Sequence, residues 1–382
     1  MLRSLVALLG CVPVLAFAGS APAAGSFSST LQPFLDQKVL VGAVTLVADK
    51  DRVLDVTTTG LADLAAQRPM RADDLFWIAS MSKPITAAAF LMLVDEGKVG
   101  LDDPITKYLP EFKEQMVIAE KDASHVLLKK PAQPVLVRHL LSHTAGFDFS
   151  SAIEKPTLDF TPLRVAVLSY AAQPLLWEPG TKYKYSNAGI NTAARILEVV
   201  TGESYEAFLQ TRLLDPLGMT DTTFWPAAAQ TARIATSYKA TKDKSTVEAT
   251  PVTQLFYPLT DRVRRHPMPA GGLFSTAADC ATFGQLLLNG GTHQGRRLLS
   301  EAAVRQMTSR QTPANVKESY GFGVQLDATG YGHGGAYSTQ LHVDPTHGLV
   351  TIFMVQNAGW RSDDGKKIEP AFRAAAVARF AP

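Results

Sequence analysis

The sequence predicts a mixed α+β fold: an antiparallel sheet built from both chain ends, flanked by helices, with a mainly helical lobe inserted between them. Three observations carry this expectation. Stretches rich in Val, Leu and Thr occur near the start of the chain and again near its end. Between them, helical patterns are broken repeatedly by Pro and Gly. The length, 382 residues with 46% hydrophobic content, is enough for a sizeable core in one large domain or two lobes.

The elements follow in order. Arg3 precedes an apolar run from Leu5 to Ala18, then small residues and Pro22. Residues 1–24 therefore read as a secretory signal peptide, with cleavage after Ala18 or Ala24, which implies an exported, periplasmic or secreted protein. The run is short for a membrane span and no later run approaches that length, so no stable membrane insertion is expected after cleavage. Only Cys280 would remain, leaving no internal disulfide, and a chain of this size needs none.

Phe27 to Leu40 reads as a short helix. Gly42 to Ala48 and Arg52 to Gly60 read as a hairpin across Asp49-Lys50-Asp51. Ile78 to Glu96 reads as a helix carrying Ile85, Ala89, Met92 and Leu93, with Pro84 in its first turn and Gly97 just past its end. In the middle, Val137 to Leu141, Asn191 to Thr201 and Tyr205 to Leu213 read as helices. Ala277 to Leu288 follows as another. Phe322 to Leu326, Tyr337 to Val343 and Leu349 to Gln356 read as strands, and a last helix runs from about Pro370 to Arg379. This divides residues 25–382 into a sheet lobe, 25–99 with 270–382, and a helical lobe, 100–269. A cleft between lobes is a natural site.

The chemistry begins at Ser80-Met81-Ser82-Lys83. A serine three residues before a lysine in a helix shares its face, so the amine can reach the hydroxyl. A serine hydroxyl attacks poorly until a neighbour takes its proton, and this spacing supplies that neighbour. At a helix N-terminus, free N–H groups also face any developing negative charge. Two later segments add to it: Tyr185-Ser186-Asn187, after Trp177-Glu178-Pro179-Gly180, and His333-Gly334-Gly335-Ala336, placed at the opening of a strand. Taken singly, each has a structural explanation. Ser80 could be a helix cap, Tyr185-Ser186-Asn187 a turn and His333-Gly334-Gly335 a tight connection. His143 reads as a structural histidine held by hydrogen bonds, and Trp177 as core or cleft wall.

As an ordered set, these segments resemble the signature of the penicillin-recognising serine hydrolases. That group includes class C β-lactamases, D-alanyl-D-alanine carboxypeptidases, D-aminopeptidases and β-lactamase-like esterases. Leu140-Leu141-Ser142-His143-Thr144-Ala145-Gly146-Phe147 and Gly271-Gly272-Leu273-Phe274-Ser275 fit the same pattern. The resemblance implies a β-lactamase/transpeptidase-like fold. It also implies an acyl-serine at Ser80, with Lys83 and Tyr185 as catalytic partners that titrate as a coupled pair. Asn187 is implied to hold Lys83 and touch the substrate. His333, Gly334 and Gly335 are implied to bind substrate, and the N–H groups of Ser80 and Ala336 to form an oxyanion hole. His333 stands where relatives carry the lysine of a Lys-Thr-Gly or Lys-Ser-Gly motif. Histidine is mostly neutral near pH 7, so carboxylate recognition is weakened and ester cleavage gains over lactam or D-amino-acid peptide cleavage.

Other classes lose ground. His333, His342 and His347 are separated by the turn-forming Asp344-Pro345, and there is no His-Glu-x-x-His and no cysteine pair for a metal. No Gly-x-Ser-x-Gly elbow is present. A net charge of +2 gives no case for nucleic acid. The expectation is an exported serine hydrolase with no cofactor and no metal, acting on a small-molecule ester, lactam or peptide. The alternative is a catalytically silent protein that binds a cell-wall peptide or a lactam.

Overall fold

Strands from the two ends of the chain meet in one seven-stranded sheet. Its order is Gln325–Leu326, Tyr331–Gly334, Gln340–Asp344, Leu349–Met354, Gly42–Ala48, Val53–Asp63, Arg68–Pro69, and each neighbour is antiparallel. The structure is a computed structural model that describes residues 27–155 and 157–381; the expected signal peptide, 1–24, lies outside the described residues.

The two ends join where Val44 pairs with Met354 and Ala48 with Val350. Every residue of both strands is buried, and apart from Thr45 and Thr351 they read as apolar runs because both sheet faces are covered. On one face Val44, Leu46 and Ala48 join a core that includes Phe283 of helix Ala277–Leu288. Gly284 allows that close approach, since a Cβ there would lie 2.5 Å from Val350. On the other face Ala43 and Val47 meet the terminal helices Ser28–Asp36 and Ile368–Phe380, with Phe27 and Phe372 edge-to-face at 5.1 Å. Among the described residues no helix is long and apolar enough to cross a membrane.

The expected helix from Ile78 is present as a 3₁₀ turn, Ala79–Met81, that runs into helix Ser82–Asp95. Every residue from Ser82 to Leu93 is buried, as suits a helix that is apolar nearly all round. It packs on helix Asn187–Thr201, which begins four residues earlier than the apolar pattern indicates. The cause is a cap: the Ser186 hydroxyl accepts from Gly189 N–H, so Asn187 opens the helix.

Two expectations are corrected. His333 and Gly334 do not open a strand; they end Tyr331–Gly334, and the next strand starts at Gln340. A tight turn intervenes, closed by Gly335 N–H on Thr339 O and Ser338 N–H on Gly335 O. The middle region also holds strand pairs with no clear pattern in the sequence, Val117–Lys121 with Val126–Lys129 and Tyr238–Ala240 with Val247–Ala249. Strand Val126–Lys129 is exposed throughout, so burial imposes no alternation on it.

Candidate active site

The Ser80 turn is fixed by its neighbours. Strand Phe76–Trp77 pairs with Phe274–Ser275, Trp77 Nε1 donates to Gly271 O at 2.8 Å, and Ile78 N–H donates to Leu273 O. Ala79 is left-handed at φ 45, a conformation that costs a residue with a Cβ about 1–2 kcal/mol. Ser80 follows, one turn before Lys83.

Lys83 is fully buried, and no carboxylate pairs with it among the described residues. Its Nζ has three partners: Ser80 Oγ at 3.1 Å, Asn187 Oδ1 at 2.8 Å and Ala270 O at 2.7 Å. Burial without a counter-ion holds its pKa well below the ordinary lysine value. In its neutral form the amine has two N–H donors and one lone pair. Asn187 Oδ1 and Ala270 O can only accept, so they take both donors, and the lone pair is left facing the Ser80 hydroxyl.

Tyr185 stands on the other side of that hydroxyl. Its phenol neighbours the Ser80 side chain, and Lys83 Nζ lies 4.5 Å from its ring centroid. The phenol is largely buried, and desolvation drives its pKa upward; the neighbouring Ser80 side chain opposes this only in part. Ser80, Lys83, Tyr185 and Asn187 therefore meet in one place, although the last two lie about a hundred residues downstream.

The turn at Gly335–Ala336 closes the site from the sheet. A Cβ on Gly335 would lie 2.6 Å from Ile78 O and 2.1 Å from Thr339 Oγ1, so only glycine lets the sheet edge abut the Ser80 turn. Among the described residues no protein group accepts from the backbone N–H of Ser80 or of Ala336. Both residues line a cavity of about 400 Å³, with Tyr185, Asn187, His333, Gly334 and Gly335. Phe149, Tyr183, Gln254 and Met268 complete much of its wall. Motif reading missed these four, and also the carbonyl of Ala270, because none sits in a recognisable pattern.

His333 is 3% exposed, and both its nitrogens are engaged inside the protein. Nδ1 faces Gly334 O at 2.7 Å and must carry the proton, so Nε2 accepts from Tyr320 Oη at 3.0 Å. Burial, with Lys83 adding to it, pushes its pKa down to about 3. It is a neutral part of the wall. His139, buried beside Arg138, is pushed down to about 4. Both histidines protonate near 6.5 in the unfolded chain, so the unfolded state gains protons that the native state refuses as pH falls below that value. Stability is therefore expected to be highest above pH 6.5. It should fall between 6.5 and about 4 by about 1.4 kcal/mol per pH unit for each histidine. Urea midpoints at pH 7.5, 5.5 and 4.5 test this, and His139→Gln should flatten the slope.

Comparison with known proteins agrees with this fold. Residues 27–376 match the Beta-lactamase family model. An uncharacterized protein of Mycobacterium tuberculosis is 31% identical, the match covering 86% of this chain and 89% of that one. Esterase EstB of Burkholderia gladioli is 34% identical over 56% of this chain and 55% of its own. Among solved structures, EstCE1, described as a hydrolase with promiscuous acyltransferase activity, superposes with a TM-score of 0.73 at 25% identity, over 91% of this chain and 96% of that one.

Proposed function

The chain belongs to the beta-lactamase family, and from that premise we propose that it is a serine hydrolase that cleaves uncharged esters through an acyl-serine. The observation that carries this reading is the Ser80 hydroxyl, placed 3.1 Å from a buried Lys83 amine, beside the Tyr185 phenol and facing the cavity. In this mechanism Lys83 accepts the Ser80 proton as Oγ attacks the carbonyl. The tetrahedral oxyanion takes hydrogen bonds from the N–H groups of Ser80 and Ala336. Its collapse breaks the ester C–O bond, and the proton passes through Tyr185 to the departing alkoxide. Water then enters, gives a proton back along the same route, and releases the acid and Ser80. Asn187 keeps the Lys83 amine aimed throughout.

The preference for esters rests on the wall of the cavity. Among the described residues no Lys, Arg, Asp or Glu lines it, and His333 is held neutral. A substrate carboxylate, as on penicillins or D-alanyl peptides, would be desolvated there without a fixed positive partner. Aryl esters are expected to show kcat/KM at least about tenfold above a cephalosporin or a D-alanyl-D-alanine peptide. Faster lactam or peptide cleavage would overturn the preference. Tight binding of all three without product would favour a silent binding protein. Export, read from residues 1–24, belongs to the same proposal; N-terminal sequencing of the mature protein should begin after Ala18 or Ala24.

A further inference from the structure

His143 lies outside the proposed proton path, yet it touches the segment that carries it at several points. Its backbone carbonyl accepts from Lys184 N–H at 3.0 Å. Its ring Nδ1 accepts from Ser186 N–H at 3.3 Å. Those are the N–H groups of the residues immediately before and after Tyr185. The ring also packs against Tyr185 itself, with centroids 4.7 Å apart, and against Tyr320 at 4.7 Å. From this geometry we infer that His143 is a positioning residue, a clamp that grips the backbone on both sides of Tyr185 and braces its ring so that the phenol stays on Ser80.

Three further facts fit a clamp better than a packing residue or a base. His143 is left-handed at φ 59, a region that His and Asn enter more readily than other residues with a Cβ. Such strain persists where surrounding bonds over-determine it, and the two bonds to the 184–186 segment do so here. The residue is 2% exposed, and its Nε2 has no partner among the described residues. Because Nδ1 accepts, Nε2 carries the hydrogen, so neither nitrogen is free to take a proton from substrate or Ser80. Burial, with Lys83 nearby, also disfavours the charged ring. The consequence reaches beyond Tyr185. Ser186 caps the helix that Asn187 opens, and Asn187 holds Lys83. Fixing residues 184–186 therefore registers the phenol and the amine on one hydroxyl.

This inference rests on the assignment of Tyr185 to proton transfer, so Tyr185→Phe is the reference. Hydrolysis of p-nitrophenyl acetate would be followed for wild type, His143→Leu, His143→Asn, Tyr185→Phe and His143→Leu/Tyr185→Phe, with pH profiles and thermal melts. Leucine cannot accept from Ser186 N–H, and kcat should fall about 10²-fold, the cost of a displacement near 1 Å, with KM within about threefold. Asparagine tolerates the left-handed backbone and presents an acceptor near the Nδ1 position, so most of kcat should return. In the Tyr185→Phe background, His143→Leu should cost clearly less than in wild type, because the phenol it positions no longer moves a proton and only its hold on Lys83 through Asn187 remains. Full additivity in the double variant would overturn the clamp, as would His143→Asn as slow as His143→Leu. If His143→Leu does not fold, His143→Gln, whose amide is displaced by one methylene, takes its place in the cycle. A Tyr185→Phe enzyme as fast as wild type would sink the proton-relay reading instead, and is recognised without any His143 variant.

Discussion

Replacing Ser80 with alanine is expected to abolish acylation while leaving the fold intact. The side chain is half-buried and lines the cavity, so its removal opens no core cavity. Turnover of an aryl ester should fall by about 10⁴–10⁶-fold, the range seen when a nucleophile is deleted from a preorganised site. A fluorophosphonate probe should add its mass to wild type and not to the variant. The neighbouring serine makes the test sharp. Ser82 lies in the same tetrapeptide, but it is fully buried, and its Oγ accepts from Leu273 N–H at 3.2 Å. Ser82→Ala should cost stability, about 1–3 kcal/mol for the orphaned donor, and still be labelled. Labelling of Ser80→Ala equal to that of wild type would remove Ser80 from its role and transfer suspicion to another hydroxyl.

What the sequence discloses about such a site depends on how local each contact is. Ser80 and Lys83 are one helical turn apart, so residue type and spacing alone bring them together. The two-ended sheet was legible because Gly42–Ala48 and Leu349–Met354 are apolar apart from Thr45 and Thr351. Asn187 and Tyr185 entered through a motif, not through any property of the chain near Ser80. The carbonyl of Ala270, 187 residues from Lys83, has no residue-type signature, since every residue carries one. The grip of His143 on residues 184–186 was hidden for a related reason. Half of it is a backbone carbonyl, and the other half depends on a left-handed φ that a histidine does not announce. The misplaced strand start at His333 is a turn problem. Gly334-Gly335 reads equally as the end of one strand or the start of the next until the Gly335–Thr339 bond chooses.

Lys83→Met is expected to separate activity from stability more sharply than any other change in the site. Methionine nearly matches the lysine stem in length and keeps the helix packing, but it offers no base, so kcat should fall by about 10³-fold or more. Stability answers to opposing terms. The substitution leaves Asn187 Oδ1 and Ala270 O without their donor, at about 1–3 kcal/mol each. It also removes the cost of burying an amine that the unfolded chain would keep protonated. That relief depends on pH. Because burial lowers the Lys83 pKa in the fold, wild type loses about 1.4 kcal/mol for each unit that pH drops below the ordinary lysine value, until the folded value is reached. The stability of Lys83→Met relative to wild type should therefore be most favourable near pH 7 and should decline steadily toward pH 10. Urea unfolding of both proteins at pH 7, 8.5 and 9.5 measures it. A difference that does not change with pH would mean that Lys83 keeps its proton in the fold. Its three contacts would then all be donations, and Tyr185 alone would have to accept the proton from Ser80.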